Sequence, residues 1–157
     1  MPSCFFDTSA LGKNYHVELG TEEVERLLAL PEARNYISRL SIVEMQSVFA
    51  RKVRMTVISD ADFQLVRRRF LTDVTQRQLR VVRMTGLHYQ EAERLIRQHS
   101  RERSLRTLDA LQLAVALDVR QRTGLDHFVC ADRNLCTVAR VVGLPVINPE
   151  QLLPQGD

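Results

Sequence analysis

Short runs rich in apolar and β-branched residues alternate along this chain with longer stretches that are amphipathic or apolar throughout. The runs Ser3–Phe6, Asn35–Arg39, Leu79–Arg83, His127–Ala131 and Pro145–Ile147 predict short buried strands. Between them, Thr21–Leu30, Ser41–Arg54, Ala61–Val74, His88–Gln98, Thr107–Thr123 and Arg133–Val142 predict helices. Strands that alternate with helices imply parallel pairing, because each crossover between parallel strands has room to carry a helix. The expected fold class is α/β, a three-layer α/β/α sandwich. With 157 residues and no repeat, low-complexity tract or long linker, one domain spanning residues 1–157 is expected.

In a sheet of this kind, polar groups just beyond the carboxyl ends of the strands converge on a crevice. Four acids fall at such places. Asp7 directly follows the first run and Asp132 directly follows Phe128–Ala131, while Glu44 and Asp109 open the helices that begin at Ser41 and Thr107. Each has an ordinary explanation taken alone. Ser41-Ile42-Val43-Glu44 fits a capping box, Asp109 suits a first turn capped by Thr107, and Asp7 and Asp132 can cap their own turns.

Together they imply something else. Two carboxylates about 5 Å apart repel by roughly 3 kcal/mol at an effective dielectric near 20. Four around one crevice would consume an appreciable part of a typical stability of about 5–15 kcal/mol. A cap worth about 1 kcal/mol does not offset that. A divalent cation does, and hard oxygen ligands are what Mg²⁺ or Mn²⁺ requires. Taken together, Asp7, Glu44, Asp109 and Asp132 are therefore expected to form a divalent-metal site. Helical geometry removes Asp118, nine residues after Asp109 and on the opposite side of that helix. Asp126 precedes the fourth strand and points away from its carboxyl end. Gln112, one turn beyond Asp109, reads as an ordinary satisfied core amide.

Charge adds a possible partner. The formal net charge is +3 and only Lys13 and Lys52 among 22 basic residues are lysines. Arginine presents a planar fork suited to phosphate, so a nucleic-acid partner is permitted without being required. Arg106, three residues before Asp109, is the candidate for a phosphate contact near the metal. The solvated surface is the ordinary reading of Arg51, Lys52, Arg54, Arg67, Arg68, Arg69, Arg101 and Arg103. Cys4, Cys130 and Cys136 lack zinc-ligand spacing, which argues against a structural zinc site or a disulfide framework. No apolar run approaches 18 residues and no leader pattern opens the chain, so a cytoplasmic protein without a membrane partner is expected.

The stretches Phe5-Phe6-Asp7-Thr8-Ser9-Ala10-Leu11, Ser41-Ile42-Val43-Glu44, Leu108-Asp109-Ala110-Leu111-Gln112-Leu113-Ala114 and Cys130-Ala131-Asp132-Arg133-Asn134-Leu135 resemble the motif series of PIN-domain nucleases. Gly143–Pro149 is similar to that family's last strand. The likeness is strongest to the compact VapC-like toxins of toxin–antitoxin pairs. It implies a five-stranded parallel sheet, Mg²⁺- or Mn²⁺-dependent ribonuclease activity leaving a 5′-phosphate and a 3′-hydroxyl, homodimerisation and inhibition by a cognate antitoxin. It assigns Asp7, Glu44, Asp109 and Asp132 to the acidic positions and Ser9 to a supporting hydroxyl. Many relatives carry Thr or Ser two residues before the fourth acid, where this chain has Cys130, and a thiol is a poor hydrogen-bond partner. Two other functions compete. An aspartate-nucleophile phosphatase needs a second Asp two residues after the first, and that position is Ser9. A PIN-like protein that binds RNA or a partner with little turnover is the other.

Overall fold

The computed structural model describes residues 1–151. Its strands are β1 (Ser3–Phe6), β2 (Arg34–Ser38), β3 (Arg80–Val82), β4 (His127–Val129) and β5 (Val146–Ile147). Its helices are α1 (Thr8–Leu11), α2 (Thr21–Leu28), α3 (Arg39–Arg54), α4 (Asp60–Thr75), α5 (Gly86–His99), α6 (Thr107–Thr123) and α7 (Arg133–Val141), with a 3-10 turn at Gly12–Asn14. The strands form one five-stranded sheet in the order β3-β2-β1-β4-β5, and every pairing is parallel. The predicted α/β sandwich and its five-stranded parallel sheet are both present. Among the described residues, no helix is long and apolar enough to cross a membrane.

β1 is central because it can bury both of its faces. Phe5 lies opposite Tyr36 of β2 and Phe128 of β4, and it joins the core formed with α5, α6 and α7. Cys4 and Phe6 point the other way, into the core shared with α2, α3 and α4. This alternation follows from the period-two geometry of a strand covered on both sides. The rings of Phe5 and Phe128 stack with centroids 5.9 Å apart. On the opposite face Tyr15, Phe49 and Phe70 meet edge to face at 5.6–6.3 Å. Burial also pushes the Cys4 thiol up to about 11, as expected of a cysteine serving as a small core residue.

The chain moves outward from β1 through β2 to β3, then returns to place β4 on the other side of β1. That reversal opens a crevice at the carboxyl ends of β1 and β4. Two local starts differ from the sequence pattern. α3 begins at Arg39, and its cap is Ser38, whose Oγ accepts from the Ser41 amide at 3.3 Å. The Ser41–Glu44 capping box is therefore not formed, and Glu44 lies in the second turn of the helix. In α6 Thr107 is the first helical residue rather than the cap. Both shifts come from the strand or loop feeding the helix, which sets where backbone dihedrals turn helical.

Removing the Phe128 ring takes away the stacked partner of Phe5 in a fully buried position. Phe128→Ala is expected to cost about 3–5 kcal/mol, read as a lower urea midpoint with an unchanged slope.

Candidate metal centre

Asp7 is the hinge between β1 and α1. Its amide donates to the Val129 carbonyl at 2.9 Å, which extends the β1–β4 ladder one residue past the strand end. Its carboxylate caps α1, and Oδ2 accepts from the Ser9 amide at 3.0 Å and the Ser9 hydroxyl at 2.5 Å. Ser9 Oγ in turn accepts from the Ala131 amide at 3.0 Å. One hydroxyl thus ties the loop after β1 to the loop after β4, and the side chain it fixes is Asp7, only 5% exposed.

Glu44 reaches the same crevice from α3. Its Oε1 accepts from Gln112 Nε2 at 2.6 Å and from the Thr8 hydroxyl at 3.2 Å. Asp109, in the first turn of α6, is buried, and Arg106 holds it with a two-pronged contact at 2.9 and 3.3 Å. The same guanidinium reaches Asp132 Oδ2 at 3.2 Å. Asp132 caps α7, its Oδ1 accepting from the Leu135 amide at 2.9 Å. Four elements therefore deliver one carboxylate each.

Burial holds the Asp7 carboxyl above the usual carboxylate range; the Ser9 bonds oppose that shift and the Asp109 charge adds to it. Burial likewise raises Glu44, with the charges of Asp7 and Asp109 adding and the bonds from Gln112 and Thr8 opposing. Asp7, Glu44 and Asp109 thus lie within one another's field. Asp132 joins them through Arg106. The acids set aside in the sequence do lie elsewhere: Asp118, excluded by helical geometry, meets His88 Nε2 at 3.0 Å, and Asp126, placed before the fourth strand, accepts from the Ser3 amide at 2.8 Å at the other end of β1.

Among the described residues, no three Asp, Glu, His or Cys side chains stand in an arrangement that would hold a metal ion as they are. Each carboxylate is engaged by donors of the chain: Asp7 by Ser9, Glu44 by Gln112 and Thr8, Asp109 by Arg106, and Asp132 by Arg106 and the Leu135 amide. In kind, the donor set fits a hard dication, because it offers carboxylate oxygens and already draws one cation, the Arg106 guanidinium, between two of its members. Gln112, read from the sequence as a satisfied core amide, and Thr8 both contact Glu44 directly, and the sequence signal for them was their position one turn from Asp109 and next to Asp7. Cys130 packs its Sγ 3.9 Å from Asp7 Oδ2 and 3.5 Å from the Asp132 carbonyl oxygen, so the backbone of α7 rather than a neighbouring hydroxyl supports the Asp132 carboxylate.

With that geometry in view, the relationship to known proteins is direct. A family model described as PIN domain matches residues 4–141, and the chain belongs to the PIN-domain family. The fold is shared with Mycobacterium tuberculosis VapC20, described as a sarcin–ricin loop cleaving toxin, at a TM-score of 0.68 and 17% identity over 93% of this chain and 99% of that one. FitAcB from Neisseria gonorrhoeae aligns at a TM-score of 0.67 and 15% identity over 95% and 99% of the two chains. A toxin–antitoxin complex from Klebsiella pneumoniae aligns at 0.62 and 16% identity over 95% and 99%. No curated protein sequence matches the chain.

The raised pKa of Asp7 gives a stability test. Below the ordinary carboxylate range Asp7 is neutral whether the chain is folded or not; as pH rises, the unfolded chain ionises first and stability falls. In metal-free protein Asp7→Asn, which keeps a capping side chain, is expected to melt higher than wild type at pH 7, with the gap closing as pH falls below about 4. Each 1 kcal/mol gained corresponds to about 2–4 °C in Tm. Equal melting temperatures at pH 7 would mean the Asp7 charge carries no burial penalty.

Proposed function

We propose that the chain is a divalent-metal-dependent endoribonuclease and the toxin of a toxin–antitoxin pair. The observation that carries this is the meeting, in a PIN-domain chain, of buried Asp7 and Asp109 with half-buried Glu44, from three elements within one another's field, with Asp132 across Arg106. Repulsion among buried carboxylates is a standing cost that a dication relieves. Asp7, Glu44 and Asp109 would hold one Mg²⁺ or Mn²⁺ ion, and Asp132 would lie beside it. Such an ion supplies charge stabilisation at a scissile phosphate and makes a water acidic enough to attack at neutral pH.

The remaining work falls to the chain itself. Ser9 keeps the Asp7 carboxylate in one orientation through two bonds while anchoring to the Ala131 amide. Thr8 and Gln112 occupy Glu44 Oε1, and no donor among the described residues reaches Oε2. Arg106, with a largely exposed side chain, is placed to exchange an Asp109 or Asp132 oxygen for a phosphate oxygen as RNA arrives. Arg101 and Arg103 precede it on an exposed loop and extend the basic approach. Lys52 is less available to RNA, because it pairs with Glu18 at 3.1 Å. The toxin assignment draws support from the names of the similar structures, a toxin and a toxin–antitoxin complex. A cytoplasmic homodimer with a cognate antitoxin protein completes the proposal.

Purified protein with Mg²⁺ or Mn²⁺ is expected to cut structured RNA. Removal of metal by EDTA, or Asp7→Asn, is expected to lower the rate by about 10²-fold or more, since several kcal/mol of charge stabilisation are lost and each 1.36 kcal/mol is tenfold. Binding of RNA without cutting by the metal-loaded wild type would replace the nuclease with an RNA-binding protein of the same fold.

Arg106→Ala is expected to weaken RNA binding and to reduce the slope of log affinity against log salt by about 1, the mark of one lost phosphate contact. An unchanged slope in filter-binding or anisotropy titrations would remove Arg106 from the RNA path.

A further inference from the structure

The structure assigns Gln112 as a positioning residue that locks the Glu44 carboxylate, an inference that rests on the proposed metal site. α6 is apolar over most of its buried surface, and its two buried polar residues are Asp109 and Gln112, one turn apart. Asp109 is one of the four acids. Gln112 is 1% exposed, so its amide must be satisfied entirely inside the protein.

Which way that amide faces is settled by a chain of hydrogen bonds. Ser38 Oγ accepts from the Ser41 amide at 3.3 Å as the cap of α3, which leaves its own proton to donate. That proton goes to Gln112 Oε1 at 2.7 Å. With the carbonyl end held there, Nε2 faces Glu44 Oε1 at 2.6 Å, Ser41 Oγ at 3.0 Å and Thr8 Oγ1 at 3.3 Å. The reverse orientation would set the amide oxygen against a carboxylate oxygen, leave the Ser38 hydroxyl only the longer contact with Ser41 Oγ at 3.3 Å, and forfeit the shortest bond of the set. The helix cap that starts α3 therefore also dictates the polarity of an amide on α6. That amide fixes a side chain back on α3. Glu44 is left one lone oxygen, Oε2, for any other ligand.

Partners of this kind usually matter for metal affinity by factors of about 10–100. The same bond could serve packing alone, and a double-mutant cycle separates the two. Mn²⁺ affinity would be measured by titration calorimetry on the full chain as wild type, Glu44→Gln, Gln112→Met and the double variant. Glu44→Gln is expected to weaken Mn²⁺ binding, and Gln112→Met to weaken it about tenfold. The double variant should bind no worse than Glu44→Gln, because Gln112 acts only through the Glu44 carboxylate. A purely structural Gln112 would lower the melting temperature in every background but leave the Mn²⁺ factors multiplying. Unchanged affinity in Gln112→Met, or factors that multiply in the double variant, would overturn the assignment while leaving the metal site in place. Unchanged affinity in Glu44→Gln would overturn the metal role of Glu44 and this inference with it. If Gln112→Met does not fold, Gln112→Asn answers the same question, since it keeps the amide but is one methylene too short to span Ser38 and Glu44.

Discussion

Confining several ionisable carboxylates in one largely buried crevice is the constraint around which this molecule is arranged. Like charges in a medium of reduced polarity repel over several ångströms, and burial alone already disfavours ionisation of Asp7 and Glu44. Such a group of acids survives only where every carboxylate is held by donors or by positive charge. The hydrogen bonds of Ser9, Thr8, Gln112 and the Leu135 amide, together with the Arg106 guanidinium, are the protein's means of doing so. Each partner sits within a turn or a strand end of the acid it serves or faces it across the crevice.

The sheet makes the gathering possible. Because β1 pairs with β2 on one side and β4 on the other, its carboxyl end opens at the point where the strand order reverses. Asp7 and Asp132 leave from the two strands flanking that point, and the long helices α3 and α6 bring Glu44 and Asp109 over it. The apolar residues of β1, with Phe5 committed to one core and Phe6 to the other, fix the height and twist of the strand that carries Asp7. Core packing and site geometry are thus coupled through a four-residue strand.

Membership of the PIN-domain family and the fold shared with VapC20 and FitAcB agree with this architecture. The environment of the acids adds a local detail. A thiol, Cys130, stands beside Asp7, and contact with Cys136 together with burial keeps that thiol firmly protonated. It acts there as a small apolar wall, while the hydrogen-bonding duty falls on Ser9.

Much of this was legible in the residues. The alternation of short apolar runs with helical stretches determined the layered α/β fold and the all-parallel sheet, because side-chain period and crossover length leave few other ways to bury such a pattern. The order of the strands' ends also placed Asp7 and Asp132 at one edge, and helical periodicity alone excluded Asp118. Local boundaries were less legible: Ser41 and Thr107 have capping chemistry, yet Ser38 caps α3 and Thr107 lies inside α6, since the preceding strand and loop decide where the helix starts. The roles of Gln112, Thr8 and Arg106 toward particular carboxylates were decided only by tertiary structure. A hydrogen bond depends on direction and on fractions of an ångström between residues up to a hundred positions apart, as Thr8 and Gln112 are, and no periodicity in the chain encodes that.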